Sequence, residues 1–331
     1  MTLYLCGMAA LDVMRYVRST NGGEISGAEP RSRRLQGAIH TNAELDELSN
    51  NAQLMLSHVR GPIEALVPSR DHMTRTHRLK THLWSSNLPS GAFIDLGNGI
   101  YLSSPRFLFL QLVPILSEAE LIALGCELCG FYSCWKAPSS LRPNTEPTDY
   151  KGTTYELKPA TTAQKLAAYI DRSQGMRGVR SARKALDWVL DNSASPAETA
   201  VYLLLCLPRR MGGYGLPKPE LNVKVRVTTS TTHEVRYPDL FWAGCSLDVE
   251  YQSDLSHTGE WMRYRDSRRA VELEAERITV LPLTRLQLLD VDQFNSFVTS
   301  VRRIMNRRAR PLSEDWRSRN LDLREELLWT V

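Results

Sequence analysis

The stretch from Glu234 to Asp254 constrains the fold most, because it combines aromatic and branched residues with regularly spaced acids. Aromatic and branched residues on either side of Ala243-Gly244 predict two short strands joined by a tight turn. Side chains alternate between the two faces of a strand, so Asp248, Glu250 and Gln252 are expected to share one face. The sequence therefore predicts an acidic β-hairpin.

This predicted hairpin brings several carboxylates close together. With Ala243-Gly244 as the turn, Asp239 is expected opposite Asp248, give or take one residue, and diagonal to Glu250. Carboxylates at that spacing repel one another unless a proton or a cation lies between them. A hard cation such as Mg²⁺ prefers oxygen ligands and can activate water for phosphodiester cleavage. A metal site is the leading interpretation, and a solvated acidic face is the alternative.

Composition narrows the class of protein. A length of 331 residues allows two domains or one large one. The hydrophobic share of 42% and charged share of 24% are ordinary for a folded chain. The formal net charge of +4 permits nucleic acid as a partner without requiring it. The first residues do not form a signal-peptide pattern. The apolar run 107–116 is too short to cross a bilayer. The six cysteines are interpreted as reduced thiols. These features predict a cytoplasmic protein with no membrane partner.

Changes in pattern along the chain predict an α+β protein with two domains. The first part mixes helix signals with short strands, and a Pro-, Ser- and Thr-rich segment then indicates a linker. The predicted divisions are a mixed α+β domain over 1–136, a linker over 137–160, connecting helices over 161–194, a second domain over 195–310 and a tail over 311–331.

The second predicted domain has its elements in the order α-β-β-β-α-β-α. Ser195-Pro196-Ala197-Glu198 is a helix start, with a capping serine, proline at the first position and an acid three residues after the cap. This order predicts one mixed sheet, which can carry helices on both faces. The predicted strands are 221–228, 235–242, 247–252 and 278–282.

In that element order, Pro238-Asp239 followed by Asp248-Val-Glu250-Tyr-Gln252 resembles the PD-(D/E)xK restriction-endonuclease-like superfamily. The branch that it resembles most is similar to very-short-patch-repair endonucleases. The resemblance covers residues 195–306 and depends on the order and spacing of short motifs. The matching positions are Glu198 on the opening helix, Asp239, Val249 to Ser253, His257, Asp266 to Arg269, and the strand Ile278 to Thr284.

The resemblance implies a restriction-endonuclease-like αβββαβα fold and a metal-dependent DNA endonuclease that hydrolyses phosphodiester bonds. Mg²⁺ or Mn²⁺ would polarise the scissile phosphate and lower the pKa of an attacking water. His257 would act as a general base or protonate the leaving oxygen, with a loop histidine bonded to backbone as the alternative. The implied metal ligands are Glu198, Asp239 and Glu250, and the implied catalytic residues are Asp239, Glu250, Gln252 and His257.

Gln252 departs from the family pattern, since the superfamily prefers lysine there and the closer branch often has aspartate. A glutamine amide can orient water but supplies no positive charge to a pentavalent phosphate. A catalytically inactive DNA-binding regulator or antitoxin on the same fold is therefore the alternative function.

Arginines supply the predicted contacts to DNA. Arg268 or Arg269, in the motif that begins at Asp266, would contact the phosphate. The densest basic cluster in the chain runs from Arg302 to Arg310, although arginines also commonly end helices because they complement the helix dipole. The predicted DNA-binding residues are Arg268, Arg269, Arg302, Arg303 and Arg307.

The first half of the chain more loosely resembles AbiEi-like type IV antitoxin or abortive-infection proteins. The matching segments are Ile63 to Pro68, Lys80 to Trp84 and Ile100 to Arg106. This similarity implies a two-part architecture, a setting in phage defence or DNA processing, and an unidentified toxin or defence-system partner.

Overall fold

The computed structural model describes residues 1–29, 34–85, 87–135, 152–228, 233–252, 278–308 and 311–328. Over these residues the chain is mixed α+β, which confirms the predicted fold class. The chain forms two compact units, unit 1 over Met1–Val189 and unit 2 over Leu190–Val331. In the described residues, no helix combines the length and the apolar character needed to cross a bilayer.

A five-stranded mixed sheet forms the centre of unit 1. Its middle strand pairs parallel with one neighbour and antiparallel with the other. That middle strand is the first element of the chain, and its residues Leu3, Tyr4 and Leu5 are almost completely buried. In spatial order the strands are β3 (Leu79–Leu83), β2 (Ile63–Val67), β1 (Leu3–Leu5), β5 (Ile100–Ser103) and β4 (Phe93–Asp95).

Unit 1 has seven helices among its described residues, and most begin at a serine or threonine whose side chain accepts a backbone N–H of the first turn. Such caps satisfy donors that have no partner within the helix. The helices are α1 (Gly7–Thr20), α2 (Asn42–Asp46), α3 (Asn50–Leu56), α4 (Pro105–Gln111), α5 (Glu118–Leu128), α6 (Ala163–Arg172) and α7 (Val179–Leu186).

The boundary between the units differs from the predicted one. Helices α6 and α7, predicted to connect two domains within 161–194, pack on α4 and α5 and belong to unit 1. Their apolar faces need a buried partner, and Leu166 and Ala182 are 0% exposed. The described end of the predicted linker also belongs to unit 1, where the Lys158 N–H donates to Gly22 O at 3.0 Å. Residues 137–151 of that linker lie outside the described residues.

Unit 2 contains a four-stranded mixed sheet preceded by helix α8 (Pro196–Cys206). The first two strand pairs in spatial order are antiparallel, and the last pair is parallel over six residue pairs. The order across the sheet is β6 (Glu220–Leu221), β9 (Leu240–Trp242), β10 (Leu247–Gln252) and β11 (Thr279–Thr284).

Two strands predicted as continuous, 221–228 and 235–242, are each interrupted. Asn222 has a φ of 47°, a left-handed conformation that ends β6. Pro238 has no N–H to donate to a strand ladder, and it precedes β9. The outer halves instead form a separate two-stranded antiparallel sheet of β7 (Val225–Thr228) and β8 (His233–Arg236).

The segment predicted as a C-terminal tail, 311–331, contains a helix of unit 2. Trp316 is 3% exposed and its Nε1 donates to Gly213 O at 3.0 Å. Asn320 Nδ2 donates to Gly212 O at 2.7 Å, so the helix packs against the turn that follows α8. The last helices of unit 2 are α9 (Arg285–Leu289), α10 (Val291–Ile304) and α11 (Glu314–Leu328).

Candidate active site in unit 2

The register of the β9–β10 hairpin differs from the predicted one. The connection is longer than two residues, because a 3₁₀ turn over Ala243–Cys245 is followed by a left-handed serine. Phe241 therefore pairs with Asp248, and Leu240 pairs with Val249. The predicted pairing of Asp239 with Asp248 is wrong, and one further step along the register places Asp239 opposite Glu250.

A hydrogen bond holds Asp239 beside β10. Its Oδ2 accepts the Tyr251 N–H at 2.9 Å. Tyr251 lies between Glu250 and Gln252, and all four residues are half-buried. The Asp239 carboxylate is thus fixed beside the end of β10. Glu250 and Gln252, the residues on either side of Tyr251, lie on the same part of that strand.

Glu198 lies in the first turn of α8, and its buried carboxylate accepts three hydrogen bonds. Oε1 accepts the Ser195 hydroxyl at 2.9 Å. Oε2 accepts the Ala194 N–H at 2.9 Å and Asn222 Nδ2 at 2.7 Å. Burial raises the pKa of Glu198, and the three hydrogen bonds act in the opposite direction. The carboxylate thus already binds the turn before α8 and the residue that ends β6.

Asn222 joins the helix acid to the hairpin. Besides Glu198, its Nδ2 donates to Asn192 O at 3.0 Å, and its backbone N–H donates to Asp239 O at 3.3 Å. The chain of contacts therefore runs from Glu198 through Asn222 and Asp239 to Tyr251. Sequence reasoning missed Asn222, and the signal that could have found it is an asparagine between two short strand patterns, where left-handed turns favour this residue.

Asp248 has a different environment from the other acids of the hairpin. It is 0% exposed, and its neighbours across the sheet are Phe241 on β9 and Val280 on β11. A carboxylate buried among apolar neighbours is costly without compensation. A fully solvated acidic face, the alternative reading of this hairpin, does not fit the burial of Asp248.

Among the described residues, no group of three or more His, Cys, Asp or Glu side chains is placed to hold a metal ion. The Asp239 carboxylate is held by the N–H of Tyr251, the residue after Glu250, and Glu198 is linked to Asp239 through Asn222. Three of the predicted site residues, His257, Arg268 and Arg269, lie outside the described residues.

The predicted DNA-binding arginines in and just after α10 have unequal environments. Arg302 is 8% exposed, and its Nη2 donates to Tyr214 O at 2.8 Å. Arg303 and Arg307 are exposed.

Comparison of the chain with protein-family models, with curated proteins and with solved structures finds no match in any of the three. The arrangement of the residues is therefore the basis for any proposal on function.

Replacing Asn222 tests the link between α8 and the hairpin. We expect Asn222→Gly to lower the free energy of unfolding of unit 2 by about 1–2 kcal/mol, because the buried Glu198 carboxylate loses a donor. Asn222→Ala is expected to cost about 1 kcal/mol more, since alanine also strains the left-handed backbone. Urea unfolding followed by tryptophan fluorescence measures both, and wild-type stability of the glycine variant would contradict the link.

Proposed function

We propose that unit 2 is a metal-dependent DNA endonuclease-like domain on a restriction-endonuclease-like fold. The observation that carries this proposal is the hydrogen bond from the Tyr251 N–H to the Asp239 carboxylate, which holds Asp239 beside the stretch of β10 that contains Glu250 and Gln252. The sheet order supports it, since a helix and three antiparallel strands are followed by a strand parallel to the third. These strands follow the order that the sequence resemblance implies for an αβββαβα domain, and the segment between the last two, residues 253–277, lies outside the described residues.

The donor set fits a hard divalent cation. Asp239 and Glu250 would hold Mg²⁺ or Mn²⁺, because both supply carboxylate oxygens and both are half-buried at one end of the hairpin. When bound, the cation would polarise a scissile phosphate and lower the pKa of its water. Glu198 fits a positioning role better than a ligand role, because its two oxygens already accept three hydrogen bonds.

The chain's own residues would fix the geometry of this site. The Tyr251 N–H holds the Asp239 carboxylate, and Asn222 holds the backbone of Asp239. Gln252 follows Glu250 on the same face of β10, where its amide would orient water or a phosphate oxygen by hydrogen bonding. It would supply no charge to the transition state, so the reaction is expected to be slower than with a lysine.

Gln252 is also the observation that favours a second candidate function, a DNA-binding regulator or antitoxin that keeps the fold without cleavage. Both functions retain DNA as the partner. The setting in phage defence or DNA processing, the cytoplasmic location and an unidentified toxin or defence-system partner remain predictions from the sequence.

A plasmid-nicking assay separates the two candidates. Supercoiled DNA is incubated with the full chain in Mg²⁺, Mn²⁺ or EDTA, and relaxed product is measured. We expect nicking with either cation and none in EDTA. Asp239→Asn and Glu250→Gln are expected to lower the rate about 100-fold or more, because a metal site contributes several kcal/mol to transition-state stabilisation.

Asp322→Asn is the matched control, since it removes an exposed carboxylate from α11 and is expected to leave nicking unchanged. Gln252→Lys is expected to increase the rate, because it restores the positive charge that the family pattern has. Equal nicking by wild type, Asp239→Asn and Glu250→Gln would contradict the catalytic assignment. DNA binding without nicking by the wild type would support the inactive regulator instead.

A further inference from the structure

A cleft in unit 2 gathers four arginines from two distant parts of the sequence. It has a volume of about 410 Å³. The arginines come from the 3₁₀ segment Arg209–Met211, which follows α8, and from the C-terminal part of α10 and the residues after it. The described residues that line the cleft include no aspartate or glutamate; they are Pro208, Arg209, Tyr214, Gly215, Leu216, Arg302, Arg307 and Arg308.

Two of these arginines are held in place by the fold. The Arg302 side chain is buried, its Nη2 donates to Tyr214 O, and its guanidinium carbon lies 5.9 Å from the centre of the Tyr214 ring. Arg209 Nη2 donates to Pro311 O at 2.5 Å, and its guanidinium carbon lies 5.7 Å from the Trp316 ring. Guanidinium groups fixed in advance lose less entropy when they bind a ligand.

The other two arginines are exposed, and they lie where α10 ends. Asn306 has a φ of 51°, and the Arg307 N–H donates back to Arg302 O at 2.8 Å. This reversal brings the backbone of Arg307 next to the buried Arg302. Four like charges around one concavity repel one another, and a bound polyanion relieves that repulsion.

The position of the cleft relates it to the candidate active site. Arg307 also lines an adjoining cleft of about 420 Å³, together with Phe241, Trp242 and the turn after β9. Asp239 precedes Trp242 by three residues, which corresponds to about 10 Å along a strand. The adjoining cleft thus lies at the turn end of the hairpin, and the arginine cleft shares Arg307 with it. A nucleic-acid backbone can reach from one to the other within a few nucleotides.

We propose that this arginine cleft binds the phosphodiester backbone of DNA, with Arg302 and Arg209 as its fixed base and Arg307 and Arg308 as its exposed arms. The guanidinium fork matches phosphate oxygens in a bidentate geometry. The inference rests on the proposed function for the choice of DNA as the polyanion. It changes the arginine set read from the sequence, because it adds Arg209 and Arg308 and leaves out Arg303.

Fluorescence anisotropy with a labelled duplex of about 20 base pairs, in EDTA and over a series of chloride concentrations, tests this site. We expect Arg307→Ala and Arg308→Ala each to weaken binding about five- to tenfold. Each should also reduce the slope of log affinity against log salt by about 0.9, as expected for one lost phosphate contact.

Arg303→Ala is the matched control, because it removes the same charge from an exposed position on α10 that does not line the cleft. We expect it to weaken binding less than about twofold. Thermal unfolding of each variant checks that the fold is retained, as expected for exposed positions. Equal losses in the Arg303 and Arg307 variants would overturn the site, because overall charge alone would then explain binding.

Wild-type binding in a double Arg307→Ala/Arg308→Ala variant would also overturn it, as would the absence of DNA binding by the wild type. EDTA makes this test independent of catalysis. Cleft-dependent binding without nicking in Mg²⁺ would contradict only the endonuclease proposal. Nicking by the wild type, together with DNA binding that Arg307→Ala and Arg308→Ala leave unchanged, would contradict only this inference.

Discussion

Replacing Glu127 with alanine is expected to lower the free energy of unfolding of unit 1 by about 3–5 kcal/mol. Glu127 is 3% exposed on α5, and its carboxylate accepts Arg15 Nε at 2.8 Å and Arg15 Nη2 at 2.5 Å. Arg18, which is 0% exposed, donates to the backbone oxygen of Glu127 at 3.2 Å. The carboxylate therefore compensates two buried cations of α1.

The charge on Glu127 is stable in this environment. Burial acts to raise its pKa, but Arg15, Arg18 and the Cys134 N–H together outweigh that effect, so the pKa lies below its usual range. Burial lowers the pKa of Arg18, and Glu127 opposes that change. Without Glu127, both guanidinium groups lose their compensating charge in a buried site, which is the costly way to break an ion pair.

Urea unfolding at neutral pH measures the effect. Glu118→Ala is the control, since Glu118 is an exposed acid in the first turn of the same helix and its loss is expected to cost less than about 1 kcal/mol. A double Arg15→Met/Glu127→Leu variant should recover part of the loss, because apolar side chains can replace the Arg15–Glu127 ion pair but do not compensate the charge of Arg18. Equal stabilities of the Glu127 and Glu118 variants would contradict the argument.

Acid is expected to destabilise unit 1 through a second buried carboxylate, Glu64 on β2. Its Oε1 lies 2.7 Å from Lys80 Nζ and 3.2 Å from His82 Nε2 on the neighbouring strand. Its Oε2 accepts the Met8 N–H at 2.7 Å, at the start of α1. Burial acts to raise the pKa of Glu64, and these partners together lower it from 4.5 to about 2.

The sign of the effect follows from that lowered pKa. The stabilisation is present above about pH 4.5, where the unfolded carboxyl is ionised, and it is lost as the pH falls towards about 2. The difference between the two pKa values corresponds to about 3 kcal/mol. The side chains of Lys80 and His82 are 36% and 39% exposed, so solvent screening reduces the expected loss to about 2 kcal/mol.

Unfolding free energies of the wild type and of Glu64→Gln, measured between about pH 5 and pH 2, test this prediction. The wild type should lose about 2 kcal/mol more than the variant over that interval. Asp171→Asn is the control, because Asp171 is an exposed acid of the same unit and its replacement should leave the wild-type pH dependence in place. Parallel pH profiles for wild type and Glu64→Gln would show that Glu64 does not carry the effect.

Local signals predicted several elements correctly. The capping serine and the proline after it indicated a helix at Ser195, and α8 begins at Pro196. Alternation predicted a strand over 247–252, and β10 has those bounds. Such signals can be recognised in the sequence because caps, proline and side-chain alternation act within a few residues. The first strand, Leu3–Leu5, gave no such signal, because three buried residues in a row show no alternation.

Only part of the candidate site could be predicted from the sequence. The acids Glu198, Asp239 and Glu250 were visible as residue types in a particular order. Their neighbours were not, because the register of β9 and β10 depends on the backbone of the turn after Trp242. The contacts of Asn222 also depend on the fold, since they join it to Glu198, 24 residues away in the sequence.

By itself the sequence determined the fold class, the start of the opening helix, the acidic hairpin and the excess of arginine near the C-terminus. These follow from side-chain patterns over short stretches. The tertiary structure alone decided which residues meet, as in the pairing of Arg15 with Glu127 across 112 residues and the meeting of Arg209 with Arg302 in one cleft. Packing of distant elements sets those distances, and local propensities carry no information on them.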